Sequence, residues 1–156
     1  MNRFMRDSIV GAVLSVITIS LRAQQPPISS TTQGSITAEM IGRKYPPMQL
    51  DLAATDREYG YSEKAPIVVG GGLGKGSENT YRYLNALLGP NGEIVHYDRV
   101  GACCSFHTKN SPLSGKALLE VFEVRFEGGE PKRLYFNWYD SSKPSIPVGL
   151  TSRQQQ

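Results

Sequence analysis

Between Tyr81 and Tyr139 the apolar residues change their period once, and that change constrains the fold more tightly than any other feature of the chain. Tyr81, Leu84 and Leu88 recur at three- and four-residue spacings, with Leu87 widening the stripe, as one buried helix face requires. Ser77 precedes the stripe and can cap such a helix, while Gly89-Pro90 ends it and Pro90-Asn91-Gly92 turns the chain. Beyond Gly92 the period becomes two. Residues 94–104 predict a strand, a loop rich in Ser, Asn, Pro and Gly follows over 108–115, and residues 118–127 predict a second strand. There Phe122, Val124 and Phe126 share one face while Glu123, Arg125 and Glu127 share the other, the signature of a half-wet antiparallel sheet. Gly128-Gly129 suits a two-residue hairpin loop with positive φ at both positions. A third strand over 133–139 puts Leu134, Phe136 and Trp138 on one side and Tyr135, Asn137 and Tyr139 on the other. The short β-branched run 65–69, entered through Pro66, adds an edge or entering strand. The expected fold is α+β, a small antiparallel sheet of three or four strands with one covering helix.

The first residues form a separate object. Arg3 and Arg6 precede a largely apolar run over 9–21, and Ala23 supplies the small residue after which a signal peptidase cuts. The run has 13 residues, whereas a helix needs roughly 20 to cross a hydrocarbon layer. A cleaved signal peptide over 1–23 is therefore expected, ahead of a retained membrane-tethered helix or an ordinary soluble N-terminal helix. Residues 24–35, with two prolines and five Ser or Thr, read as a flexible leader; 36–150 as a single α+β domain; 151–156 as a disordered tail. Within the domain, 36–41 allow about one helical turn before Gly42 and Tyr45-Pro46-Pro47, and the chain to Gly60 lacks a clear period.

Export changes the charge argument. The chain has 17 Lys and Arg against 14 Asp and Glu, but removing Arg3, Arg6, Arg22 and Asp7 leaves 14 against 13. The visible clusters, Asp56-Arg57-Glu58 and Glu130-Pro131-Lys132-Arg133, are mixed in sign. Nucleic-acid binding, which needs a concentrated basic face, is not expected.

Three groups of residues invite a chemical reading. The glycine run 70–77 departs from a phosphate loop, since Val69 stands where its first glycine belongs and Gly76 where Ser or Thr follows the lysine. The dinucleotide spacing fails as well, with Lys75 or Ser77 in place of the third glycine. What remains is an anion-binding loop through Gly74, Lys75, Gly76 and Ser77, set against a plain flexible turn. Cys103, Cys104 and His107, with His96, have the donor types of a zinc site or a thiol nucleophile. Adjacent strand residues point to opposite faces, however, so both cysteines reach one ion only where the strand ends or bulges. Glu123 and Glu127 lie opposite the aromatic side and read as solvated cover rather than a glycosidase pair. No cofactor or metal is implied.

Cys103 and Cys104 are the only cysteines. In an oxidising compartment three states are open to them: a bond between the neighbours, two buried thiols, or an intermolecular or metal-bound form. An adjacent bond closes a small ring and strains the intervening trans peptide, but Gly101 before the pair and the polar residues from Ser105 suggest a strand end that relaxes it. A buried or bridged sulfur is a poor nucleophile, which favours a structural pair over a catalytic one.

The segments 83–93, 99–106, 134–140 and 147–150, with Arg99-Val100-Gly101-Ala102-Cys103-Cys104 the most distinctive, resemble a family of small Bacteroidetes envelope proteins. The resemblance spans about residues 65–150 and implies an envelope location. Many of those relatives look like lipoproteins; here no Cys follows the apolar run, so the lipid anchor does not carry over and a free periplasmic form is expected. Some carry the label of an aldolase for a phosphorylated sugar acid, which implies a (β/α)₈ barrel of about 250 residues. A chain of 156 residues with one convincing helix does not supply one.

The reading is thus a noncatalytic periplasmic or envelope-associated protein, at the periplasm or outer-membrane periphery, that contacts another envelope protein or complex, with peripheral membrane association open. Tyr135, Asn137 and Tyr139 form its expected contact face, because aromatic side chains bury large areas at low entropic cost. The alternatives are a small thiol- or metal-dependent enzyme centred on Cys103, Cys104 and His107, and a small anionic-ligand binder using the loop 70–77.

Overall fold

The protein is described by a computed structural model over residues 44–153. The proposed signal peptide, the leader, the start of the domain and residues 154–156 fall outside that range. In chain order the elements are β1 (Ile67–Val68), α1 (Gly72–Ala86), β2 (Leu87–Leu88), β3 (His96–His107), β4 (Lys116–Arg125), β5 (Lys132–Asn137) and β6 (Thr151–Ser152). Four strands make one sheet in the order β1-β5-β4-β3, and β2 pairs with β6 in a small ribbon. Strands β3, β4 and β5 run antiparallel, as the period-two segments predict; β1 joins the edge of β5 in parallel. Among the described residues the α+β architecture, with one long helix on a small sheet, is therefore correct, and the sheet is mixed by virtue of its shortest strand.

The helix packs where the alternation directs it. Glu120, Phe122 and Val124 of β4 stand in register with Phe136, Leu134 and Lys132 of β5, and Phe122 and Phe136 meet edge to face at 5.6 Å. Tyr83 of α1, fully buried, packs edge-on against Phe136 at 5.6 Å, and its hydroxyl donates to the Ser145 carbonyl at 2.6 Å. Leu84, Ala86 and Leu87 complete that side of the core with Ile67, Leu134 and Ile146. Burial of each large side chain contributes about 1.5–3 kcal/mol, so this cluster dominates the stability of the fold. Among the described residues no helix is long and apolar enough to cross a membrane.

Several boundaries differ from the sequence reading. The helix starts at Gly72, so the expected loop 70–77 is mostly helical and Ser77 lies inside the helix; Gly71, with φ 97°, is the N-cap. Glycine is a poor helix former, but a tertiary contact overrides propensity here: the Gly72 N–H donates to the Trp138 carbonyl at 2.8 Å. A Cβ on Gly76 would lie 2.6 Å from the Trp138 Cβ, so only glycine lets the helix approach that side chain. At the other end Leu87 and Leu88 leave the helix and pair with Ser152 and Thr151, which places the first two residues of the supposed disordered tail in a strand. The hairpin after β4 is longer than two residues: β5 begins at Lys132, and only the first of the two glycines, Gly128, has positive φ. The face of β4 opposite the helix is not uniformly wet, because Leu119 and Val121, aligned with Glu123 and Arg125, are buried too.

Candidate functional site

Sheet order makes β3 an edge strand, and the cysteine pair sits in its second half. Cys103 pairs with Leu119 and Ser105 with Leu118, so Cys104 is the extra residue of a β-bulge; its φ is +58°. The two sulfurs are bonded to each other. The strand does not end at this point, as the sequence reading supposed, but continues to His107. Nor is the intervening peptide turned cis: the Cα atoms stand 3.8 Å apart across a trans bond. The bulge accommodates the ring, because an inserted residue no longer obeys the alternation that would point the side chains apart.

With both sulfurs shared in one bond, neither is a thiolate in this state, and a nucleophile or a zinc ligand at Cys103 or Cys104 requires prior reduction. His107 is exposed at the end of β3. His96 begins the same strand seven residues before Cys103, roughly 23 Å away at about 3.3 Å per residue. Those four donors therefore do not form one site, and among the described residues no group of three or more His, Cys, Asp and Glu comes together to hold a metal ion.

The three residues of the expected contact face have different fates. Asn137 is buried: its Oδ1 accepts the N–H groups of Tyr139 (2.9 Å) and Asp140 (3.2 Å), and its Nδ2 donates to Asp140 Oδ2 at 2.9 Å. It shapes a turn. Asp140 in turn ties this turn to the β3–β4 loop by accepting from Thr108 Oγ1 (2.5 Å) and Asn110 Nδ2 (2.8 Å). The Thr108, Asn137 and Asn110 donors, with Lys109 nearby, hold the Asp140 carboxyl below its ordinary range. Tyr135 is half-buried and its N–H is held by the Gly60 carbonyl. Tyr139 is half-buried as well and packs edge-on against Phe106.

Tyr139 also lines a groove of about 420 Å³, together with Trp138, Leu73, Leu113, Leu118 and Ala102. The groove opens where α1 begins and no longer covers the β3–β4 hairpin. Leu73, Leu113 and Leu118 are 69%, 71% and 50% exposed, far outside the range of core leucines. Two charges flank it. Glu120 is held by Arg99 at 2.7 Å, whereas Lys116 has no ion-pair partner among the described residues. Trp138 Nε1 is buried without a hydrogen-bond partner among the described atoms. Sequence reading missed these leucines for a definite reason: Leu118 belongs to the helix-facing side of β4, and only the helix start decides whether that position is covered.

Of the residues set aside for anion binding, Gly76 is packed under Trp138, and Gly74, Lys75 and Ser77 are exposed on the first turns of α1. The chain matches no family model, and comparison with characterised proteins and with solved structures found no match.

Proposed function

We propose that the protein is a noncatalytic component of the cell envelope, periplasmic or at the outer-membrane periphery, and that it works by contacting another envelope protein through the groove between α1 and the β3–β4 hairpin. The observation that carries this reading is the convergence of Leu73, Leu113 and Leu118, all well exposed, around Trp138 and Tyr139. A contiguous apolar groove of this kind suits a partner segment far better than bulk water. Lys116 at its border selects the partner further, favouring an apolar segment that carries an acidic residue. The Cys103–Cys104 bond supports the compartment, because disulfides persist where the surroundings are oxidising. The signal-like start and the resemblance to Bacteroidetes envelope proteins point the same way. The thiol enzyme has less support, since its nucleophile is tied up.

The test is chemical crosslinking in native membranes followed by recovery of the protein. A stoichiometric partner is expected for the native chain. Leu73→Ser with Leu118→Ser should reduce its recovery strongly while leaving the fold intact by circular dichroism, and Lys116→Glu should do the same. Unchanged recovery in both variants would overturn the assignment of the groove.

A further inference from the structure

The fold brings together cations from the two clusters of mixed charge in the sequence. Arg57 from the first and Lys132 and Arg133 from the second line one open cleft of about 460 Å³, with Tyr61 and Val148 as its apolar wall. None of the three cations is within ion-pair distance of a carboxylate among the described residues. Two of the nearby acids are engaged elsewhere, while Glu58 and Glu130 are exposed and bond to none of the three cations. Asp56 accepts the Glu58 N–H at 2.9 Å within its own turn, and Glu123, opposite Arg133 on β4, bonds Arg125 at 3.3 Å. Three like charges lining one cleft favour a ligand that carries negative charge.

The wall is fixed by bonds that do not depend on a ligand. The Tyr61 hydroxyl donates to the Val148 carbonyl at 2.9 Å, tying the turn after Arg57 to the segment before β6. The Lys132 ammonium stands 5.2 Å from the centre of the Tyr61 ring, a cation–π distance that leaves its N–H donors available on the other side. Lys132 and Arg133 are the first residues of β5, and both line the cleft.

We infer that this cleft binds a phosphate monoester on a small organic group. Two guanidinium forks and an ammonium match the oxygens of a phosphate that carries close to two negative charges at neutral pH. The Tyr61 ring and Val148 accept the organic part, so an organic ester binds better than inorganic phosphate. The cleft shares no lining residue with the apolar groove, and the two sites stand or fall separately.

Titration of the mature protein with phenyl phosphate, followed by amide chemical shifts, tests this. Saturable shifts are expected at residues 57, 61, 132, 133 and 148, with inorganic phosphate weaker, and binding should weaken as salt is raised. Arg133→Gln and Lys132→Gln should each lower affinity about tenfold, the effect of losing one charge-assisted contact in an exposed site. Lys64→Gln, a basic residue outside the cleft, should leave it unchanged. Vesicles of phosphatidylcholine with phosphatidic acid distinguish the source: retention lost in the same two variants assigns a lipid headgroup, and phenyl phosphate binding without retention assigns a soluble ester. No saturable shift at these residues, or equal weakening by Lys64→Gln, overturns the proposal.

Discussion

Gly74 and Gly76 are two residues apart in one helix, and the structure predicts opposite consequences for giving each a methyl group. A Cβ at Gly74 meets nothing within 4 Å, so Gly74→Ala gains helix propensity without a collision. That substitution should stabilise the fold by about 0.5–1 kcal/mol, the usual difference between the two residues in a helix. A Cβ at Gly76 would lie 2.6 Å from Trp138 Cβ and 2.7 Å from its Cγ, atoms at the root of the side chain that cannot swing aside. Overpacking of this kind costs about 1–3 kcal/mol; after subtracting the propensity gain, Gly76→Ala should lose about 0.5–2 kcal/mol. Urea denaturation with fluorescence reads both directly, because Trp138 is the only tryptophan of the chain. For a domain near this size, 1 kcal/mol corresponds to about 4–8 °C in melting temperature. Shifts of the same sign in the two variants would refute the helical placement of the glycine run and restore the loop that the sequence suggests.

Three further outcomes follow from the structure. Alkylation of the unfolded protein under metal chelation should add no label before reduction and two labels after it, since Cys103 and Cys104 are bonded to each other; two labels without reduction would remove the bridge. Cys103→Ser with Cys104→Ser should preserve the fold but accelerate hydrogen exchange across β3, and unchanged exchange there would show that the bond does not hold the bulge. Asp140→Asn should cost about 1–2 kcal/mol at neutral pH through its bonds to Thr108, Asn110 and Asn137, discounted for partial exposure. Because the folded-state pKa of Asp140 is lowered, its contribution is present above the unfolded value of about 3.9 and is lost as pH falls through the folded one. The variant should therefore have a flatter acid limb, and an acid limb as steep as that of the native chain would contradict this.

What the sequence reveals depends on whether one element is enough to set a position. The helix stripe and the alternation of Phe122 and Val124 are local patterns enforced by a single buried face, and they are legible. The helix start is not, because glycine propensity argues for a loop and the decisive partner, Trp138, lies far along the chain. The pairing of β1 with β5 escapes for another reason: two residues are too few to display a period. Burial of Leu119 and Val121 is hidden because charged Glu123 and Arg125 share their face. The basic cleft is the extreme case, since its residues run from Arg57 to Val148 and each cation sits beside an acid in the sequence. Charge runs report neighbours along the chain, whereas a binding surface is made by neighbours in space.

The cysteine pair bears on the open edge of the sheet. Strand β3 is 12 residues long and lies at a sheet edge, where its outward N–H and C=O groups would ordinarily template pairing with another chain. Two register shifts interrupt that edge, one between Arg99 and Gly101 and one between Cys103 and Ser105. Charges interrupt it as well, with Arg99 bonded to Glu120 and Asp98 to Arg125. A bulge protects an edge only while its extra residue stays in place, because a slip by one residue would move every following side chain to the other face. Here such a slip would drive Phe106 away from Tyr139 and turn Ser105 from the groove toward the opposite face. Bonding Cys104 to its neighbour ties the inserted residue to the one that is in register. A pinned bulge of this kind works against strand addition at the β3 edge.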